Sequence, residues 1–141
     1  MRKIIYTRPD GGISVVHPAT TEDAAWAKLP LDAINPRFAD ASEIPQDRTF
    51  RNAWKDTGAS VDHDMPKCRE LHRAMLRGLR APLMAALDAA YMRADEIGDA
   101  AEKARIAAKK QALRDVTADP AIAAATTPEE LKNVLPAALR P

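Results

Sequence analysis

Histidine, cysteine and aspartate residues cluster between positions 62 and 72, and such side chains are common ligands of metals in proteins. The cluster consists of Asp62, His63, Asp64, Cys68 and His72. Cys68 and His72 are four residues apart, so on a helix they would share one face. Zinc would need three or four of these ligands converging at about 2.0–2.3 Å. The sequence instead favours a buried thiol at Cys68, which lies on an apolar stripe, and a hydrogen-bonded boundary histidine at His72. No metal and no cofactor is therefore expected.

Nucleophilic catalysis finds equally little support in the residue pattern. Cys68 and His72 form a candidate pair on one helix, but no third group is placed to orient the histidine. The serines lie in no strand–turn–helix motif that would expose a nucleophile. Gly11-Gly12 stands between two predicted strands, where a phosphate-binding loop would lead into a helix. The sequence therefore predicts a protein that is not an enzyme.

An arginine stripe is the strongest candidate for a binding surface. Its members recur every three or four residues at Arg69, Arg73, Arg77 and Arg80, within a segment that holds five Lys or Arg residues and one Glu. Such a stripe fits a phosphate backbone or an acidic partner. It also fits a solvated helix edge that pairs with acidic residues of a neighbouring helix. Because no aromatic residues are interleaved with the arginines, nucleic acid is the less favoured partner.

The large aromatic side chains are few, and they are expected to fill the core of the N-terminal region: Trp26, Phe50, Trp54 and Tyr91. An exposed Trp54 would instead mark a docking patch, because aromatic residues often anchor interfaces. Two leucines of the apolar stripe described below, Leu83 and Leu87, complete the set of candidate contacts. The candidate interaction residues are Trp54, Arg69, Arg73, Arg77, Arg80, Leu83 and Leu87.

The first 64 residues are predicted to form a small β-containing head. Residues 3–17 form a β-hairpin, because two β-branched runs flank the turn sequence Arg8-Pro9-Asp10-Gly11-Gly12. A two-stranded ribbon is only marginally stable, so a third strand or a helix must cover it. A short helix is expected from Thr20 to Lys28, with Trp26 as its anchor. Residues 29–49 contain three prolines and are predicted to form an ordered loop, with at most a short strand at 42–44. A second hairpin, around a turn at 55–58, is expected next.

A long helix is predicted to begin at residue 65, with Asp64 or Met65 as its cap and Pro66 in its first turn. Proline inside a helix removes one hydrogen bond and clashes with the preceding turn, so Pro82 predicts a kink or break near Gly78–Ala81. The helix should stop at Gly98. Its predicted apolar stripe consists of Cys68, Leu71, Met75, Leu79, Leu83, Ala86, Leu87 and Ala90.

A second helix is predicted from Asp99-Ala100-Ala101-Glu102, which has the pattern of a capping box. The connection between the two predicted helices, Gly98-Asp99, is too short for anything but a sharp reversal. The two helices are therefore expected to lie antiparallel. Ile106, Leu113 and Val116 should share one side. Two short helices, Pro120–Ala125 and Pro128–Leu135, are expected to follow.

The resulting fold class is α+β: a small head with a β-hairpin (1–64), an antiparallel helical hairpin (65–116) and short C-terminal helices (117–141). Apolar residues make up 46% of the 141 residues and aromatic residues only 4%, with alanine supplying much of the apolar count. Such a core is thin, and a partner chain often completes it. The net charge of +1 creates no strong attraction to nucleic acid, and no apolar run suits a membrane or a signal peptide. The single cysteine suits a reducing compartment, so a cytoplasmic location is expected.

Several segments resemble bacteriophage proteins. The opening of the chain, Ile4–Pro18, is similar to the start of small phage proteins, and the segment Ile44–Trp54 is also similar to such proteins. Arg77-Gly78-Leu79-Arg80 with Leu83 and Leu87-Asp88, followed by Lys110–Asp115, resembles phage tail-assembly chaperones and tail-fibre assembly proteins.

This resemblance implies a non-enzymatic accessory to tail or tail-fibre assembly, acting through protein–protein contacts. The implied partners are phage tail or tail-fibre proteins, with a homo-oligomer as a further option. The implied location is the host cytoplasm during assembly, with retention in the virion tail as an extension of that role. The alternative is a nucleic-acid-binding or regulatory phage protein that uses Arg69, Arg73, Arg77 and Arg80.

Overall fold

The computed structural model describes all residues, Met1–Pro141, and has an α+β fold. A small β-sheet region is followed by a long helix and by short C-terminal helices, which confirms the predicted class at this level. The chain divides into two compact units, Met1–Cys68 and Arg69–Pro141, whose boundary lies inside the long helix. No helix combines the length and the apolar character that a membrane crossing requires.

A three-stranded antiparallel sheet forms the centre of the Met1–Cys68 unit. Strands β1 (Lys3–Thr7), β2 (Ile13–Val16) and β3 (Ile34–Ala39) are arranged in the order β2-β1-β3. The turn between β1 and β2 needs a left-handed residue, which Gly11 provides with φ +86°, and the Gly12 N–H donates to the Asp10 carboxylate at 2.8 Å. The predicted first hairpin is confirmed.

Strand β3 corrects the expectation of a loop over residues 29–49. The strand lies at Ile34–Ala39, while the segment predicted as a possible short strand, 42–44, overlaps a 3-10 turn at Ala41–Glu43. Pro36 is tolerated because β3 is an edge strand and its missing N–H breaks no central ladder. A bulge between Ile5 and Thr7 of β1 accommodates Asn35, whose φ is +48°. Because the strand contains Pro36 and the left-handed Asn35, its sequence pattern does not indicate a strand.

Helix α1 (Glu22–Trp26) occupies the predicted place but is one turn long. Thr21 caps it by accepting the Ala24 N–H at 3.1 Å. Trp26 packs on the Phe38 ring with centroids 4.9 Å apart, yet it remains 38% exposed. The predicted anchor of this helix is therefore only partly enclosed.

The second hairpin is also confirmed, although its strands are short. Strands β4 (Trp54–Asp56) and β5 (Val61–His63) pair antiparallel, and Gly58 (φ +86°) lies in the connecting turn. Five buried residues form the hydrophobic cluster of this unit. They are Ile5, Ile13, Ala39, Trp54 and Val61.

An ion-pair network in the same unit joins β3 to β4. The Arg37 guanidinium donates to Asp56 at 2.9 Å and to Glu43 at 2.7 Å, and the Asp56 side chain is only 9% exposed. Burial acts to raise the pKa of Asp56, but hydrogen bonds from Arg37 and the Gly58 N–H outweigh it and lower the pKa below its usual value. Asp56 is therefore charged and paired at neutral pH.

Acid should weaken this unit through Asp56. Because the pKa of Asp56 is lower in the folded than in the unfolded chain, its stabilisation is present at neutral pH and is lost as pH falls through the lowered pKa. Asp56→Asn should lower the free energy of unfolding at pH 7 by about 1–3 kcal/mol, since it leaves Arg37 partly unpaired. Urea titrations followed by tryptophan fluorescence between about pH 7 and about pH 3 measure both effects. Parallel pH profiles for the variant and the natural chain would contradict this assignment.

A kink or break was expected near Gly78–Ala81. Helix α2 (Met65–Glu96) runs unbroken through Pro82, so the predicted break was wrong. Proline removes one intrahelical hydrogen bond, the one that would reach the carbonyl of Gly78. The Gly78 position is uncrowded, since a Cβ there would meet nothing within 4 Å apart from the helix's own backbone. The loss of one bond in a 32-residue helix is local and does not end it.

The end of α2 follows the predicted signals. Gly98 has φ +68°, its N–H donates to Asp95, and the Asp99 N–H donates to Ala94, which is the pattern of a glycine-terminated helix end. Asp99 then caps the next helix by accepting the Glu102 N–H at 3.0 Å. Glycine and aspartate thus end one helix and start another within two residues.

The rest of the Arg69–Pro141 unit contains three further α-helices and two 3-10 turns, Asp115–Ala118 and Ala137–Leu139. The α-helices are α3 (Ala100–Arg114), α4 (Pro120–Ala124) and α5 (Pro128–Lys132). The two short C-terminal helices are confirmed, α5 ending earlier than predicted. The core of the Arg69–Pro141 unit combines α2 with the later helices. Ile106, Leu113 and Val116 are buried in it, as expected. The largest buried apolar side chains are Leu76, Ile106, Leu113, Val116, Ile122 and Leu131.

Candidate interaction surface

The inward face of α2 differs from the stripe that the sequence predicts. Leu76 is completely buried and Ala94 is 3% exposed, whereas Met75, Leu79 and Leu83 are 44–47% exposed. The predicted stripe therefore contains both covered and exposed residues: Leu87 is half-buried, whereas Leu83 lies on the surface. The physical reason is that α2 has apolar residues on two neighbouring faces. Periodicity reports both faces and cannot tell which one the other helices cover.

The exposed part of that stripe forms a continuous surface, which we call the outer face of α2. Its residues recur at spacings of three and four, so they stand above one another on a single side of the helix. From Met75 to Ala90 this side contains no charged residue. The outer face consists of Met75, Leu79, Pro82, Leu83, Ala86 and Ala90, all exposed except Ala90, which is half-buried.

Three arginines of the predicted stripe bind backbone carbonyl groups of their own unit. Arg69 donates to the Ala125 carbonyl at 2.9 Å, and Arg73 donates to that of Thr117 at 3.3 Å. Arg80 donates to the carbonyls of Leu113 and Arg114 at 3.3 and 3.0 Å. These acceptors lie at the C-terminal ends of helical segments, where carbonyls lack intrahelical partners and carry partial negative charge. The arginines are therefore part of the packing of the unit.

Arg77 differs from the other three arginines. Its side chain is exposed and makes no hydrogen bond or ion pair within the chain. With Arg80 and Arg114 it borders an open depression of about 680 Å³, to which Asp88 also contributes. Asp88 itself is paired with Lys110 at 2.6 Å. The freely available positive charge of the stripe is thus much smaller than the count of arginines suggests.

The residues considered for metal binding have separate roles in the structure. Cys68 is fully buried, and His72 is 1% exposed with its Nε2 2.8 Å from the Val134 carbonyl oxygen. A carbonyl only accepts, so Nε2 carries the proton in this bond. Asp64 caps α2 and accepts the Lys67 N–H at 3.3 Å. No group of three or more His, Cys, Asp and Glu residues is arranged to hold a metal ion.

Trp54 lies in the core, where the sequence had placed it by preference. Its side chain is 2% exposed and belongs to the buried cluster of the Met1–Cys68 unit. Its indole Nε1 has no hydrogen-bond partner, an energetic cost that the burial of the ring has to offset. A surface contact through Trp54 would require this unit to open, so it is not part of the interaction surface.

Tyr91 was assigned to the core of the head, but it lies on α2 between two lysines. Lys103 and Lys110 are 5.6 and 5.4 Å from its ring centroid, and they also pair with Asp95 and Asp88. The aromatic ring therefore supports the contact between α2 and α3. Its position in the long predicted helix, away from the head, is the signal that could have identified this role.

No protein-family model matches this chain, and neither a curated protein nor a solved structure shows similarity to it.

Proposed function

We propose that this chain is a non-enzymatic assembly protein that acts by protein–protein contact, and that phage tail or tail-fibre assembly is its setting. The observation that carries the proposal is the outer face of α2, an uncharged apolar strip left open on a helix of 32 residues. The setting rests on the resemblance of Arg77–Asp88 and Lys110–Asp115 to tail-assembly chaperones. The corresponding location is the host cytoplasm during assembly.

The energetics favour a covered outer face. Complete burial of a leucine or methionine side chain contributes about 1.5–3 kcal/mol. Met75, Leu79 and Leu83 each leave almost half of their accessible area in water. A partner that covered the three residues would therefore gain several kilocalories per mole before the cost of association is subtracted.

We further infer that α2 and α3 lie antiparallel and form a stiff platform for this face. Three contacts support the arrangement. Arg80 reaches the carbonyl of Leu113, Asp88 pairs with Lys110, and Asp95 pairs with Lys103. Residues later in α2 thus meet residues earlier in α3, as expected for helices joined by a sharp reversal at Gly98. A paired helix holds its outer side chains in a fixed pattern.

Binding to nucleic acid is the weaker alternative. Three of the four arginines already donate to carbonyl groups of the same unit, and the chain as a whole has a net charge of only +1. A protein that binds DNA through phosphates needs several available cations, and its affinity then falls steeply with salt. Arg77 alone provides too little of this attraction.

The proposal is tested by co-expression with tail and tail-fibre proteins encoded by neighbouring genes. We expect one of them to co-purify with the natural chain and to be lost with Leu83→Asp, which places a charge on the outer face. Arg77→Gln is the matched control, since it alters an exposed residue of the same helix outside the face. Circular dichroism of both variants checks that the helices remain folded.

A DNA-binding measurement at low salt separates the two candidate functions. The natural chain should show no measurable affinity for duplex DNA at about 50 mM salt, where phosphate contacts are strongest. Salt-sensitive binding that weakens in Arg77→Gln, together with no capture of any tail protein, would refute the assembly role and support the alternative.

A further inference from the structure

We infer that the Met1–Cys68 unit binds a compact organic anion, a molecule with one acid group and a short apolar body, in a pocket of about 300 Å³ beside its three-stranded sheet. Three basic residues, one amide residue and four apolar residues line this pocket. All of them belong to the Met1–Cys68 unit, whereas the outer face of α2 belongs to the other unit. The inference therefore goes beyond the proposed function and rests on different residues.

The sheet places two of the basic residues at the end of a covered apolar face. Ile5 of β1 is paired with Val15 of β2, and on this side of the sheet Ile5 belongs to the buried cluster while Val15 packs against it. Side chains two residues apart along an extended chain share a side, so Lys3 and His17 continue this face by one position. Both of them line the pocket. The apolar cluster is thus followed by two basic side chains at this end of the sheet.

The segment after β3 forms the opposite wall of the pocket. Ile44 and Pro45 supply apolar surface, and Ile44 also packs against the buried cluster, which anchors this wall to the core. Gln46 supplies an amide and Arg48 a guanidinium group. The guanidinium carbon of Arg48 lies 5.9 Å from the centroid of the Trp54 ring, close enough for cation–π attraction to hold the arginine in place. The pocket therefore combines apolar surface with several hydrogen-bond donors.

The basic side chains of the pocket have no acidic partner within the chain. Lys3, His17 and Arg48 form no ion pair and no side-chain hydrogen bond, and no acidic residue lines the pocket. This distinguishes the pocket from the depression beside Arg77, where Arg80 already donates to carbonyl groups and an aspartate contributes to the lining. The donors of the pocket are available to a ligand.

Acidic residues of the neighbouring segment are bound by other groups. Glu43 pairs with Arg37 at 2.7 Å and accepts the Asp40 N–H at 2.9 Å. Asp47 accepts the N–H of Thr49 at 2.9 Å and its hydroxyl at 2.6 Å. Neither Glu43 nor Asp47 lines the pocket. An anion from outside the chain is therefore the partner that fits the three basic side chains.

The lining and the size of the pocket define the class of ligand. Lys3 and Arg48 carry like charges that repel each other, and an anion between them would be attracted to both. His17 and Gln46 add N–H donors for the oxygen atoms of a carboxylate or a phosphate. The volume of about 300 Å³ is at the lower end of the range of small-molecule sites, which favours a compact molecule over a nucleic-acid strand. The apolar wall favours a short hydrocarbon body on that molecule.

Titration of the ¹⁵N-labelled chain with hexanoate, followed by nuclear magnetic resonance, tests the site. We expect the amide signals of Lys3 and of residues 15–17 and 44–48 to shift, with a dissociation constant below about 1 mM. Acetate, which lacks the apolar body, should bind at least about tenfold more weakly. Hexanamide has the same body without the charge and should not bind. Hexyl phosphate is the second anionic probe, and the tighter of the two anions identifies the acid group.

Paired variants test whether the basic residues of the pocket are responsible. Lys3→Gln combined with Arg48→Gln should raise the dissociation constant for hexanoate at least about tenfold, because two charge-assisted contacts are lost. The matched control combines Lys28→Gln with Lys55→Gln, which removes two exposed charges of the same unit that do not line the pocket. This control should bind hexanoate as the natural chain does. Circular dichroism establishes that both double variants fold.

Three results would each overturn the inference. They are unchanged amide signals with both anions at about 10 mM, equal binding of hexanoate and hexanamide, and equal weakening in the two double variants. Equal affinities for acetate and hexanoate would likewise remove the apolar body from the ligand class. Capture of a tail protein through Leu83 involves none of these residues, so it succeeds or fails independently of anion binding.

Discussion

Replacing Leu76 with alanine is expected to lower the free energy of unfolding of the Arg69–Pro141 unit by about 2–5 kcal/mol. Leu76 is completely buried, so the substitution removes transfer energy and leaves a cavity among tightly packed neighbours. The matched variant is Leu79→Ala, three residues further along the same helix. Leu79 is 47% exposed, and its replacement should cost less than about 1 kcal/mol.

Urea denaturation followed by far-ultraviolet circular dichroism measures this pair of variants, because helices dominate that signal. The measurement belongs at low protein concentration, where self-association does not add to the stability of the natural chain. Equal losses for the two variants, or a larger loss for Leu79→Ala, would show that the rotational setting of α2 is wrong. The outer face would then not be available to a partner.

Replacing Trp54 with alanine is expected to cost the Met1–Cys68 unit about 3–5 kcal/mol, enough to unfold much of a small domain. Trp54 is the largest member of the buried cluster and is 2% exposed. Its unpaired indole N–H reduces the gain from burying the ring, which argues for the lower half of this range. Trp26→Ala is the control, since Trp26 is 38% exposed and packs mainly on Phe38.

Both tryptophans lie in this unit, so fluorescence reports on it. In each variant the remaining tryptophan serves as the probe, and thermal or urea unfolding gives the two free energies. We expect Trp26→Ala to cost about 1–2 kcal/mol. If Trp54→Ala unfolded no more easily than Trp26→Ala, the core of the unit would have to lie elsewhere than around β4 and β5.

The elements that sequence analysis located correctly are those whose signals are local. The turn at Arg8–Gly12, the stop at Gly98 and the caps at Asp99 and Thr127 all act over a few residues through fixed dihedral angles or one side-chain hydrogen bond. Strand β3 was missed because its conformation depends on pairing with β1 at a bulge. No local pattern announces that partner, and Pro36 argues against a strand unless its place at the sheet edge is known.

The candidate site shows the same division. Periodicity identified α2 as an apolar helix, but Leu76 was not in the predicted stripe, although it is the leucine that the structure buries most completely there. The arginine spacing was read correctly as one helix edge. The spacing could not show which arginines form hydrogen bonds. Arg69, Arg73 and Arg80 donate to backbone carbonyl groups 33 to 56 residues away along the chain.

The sequence by itself determined the class of the fold, the two β-hairpins, the long helix with its end at Gly98 and the short capped helices at the end of the chain. Those features follow from backbone preferences that each residue carries with it. Only the tertiary structure decided which apolar face of α2 is covered, which arginines are engaged and where Trp54 lies. Burial and pairing depend on segments that are distant in sequence, and several arrangements satisfy the same local pattern until packing selects one of them.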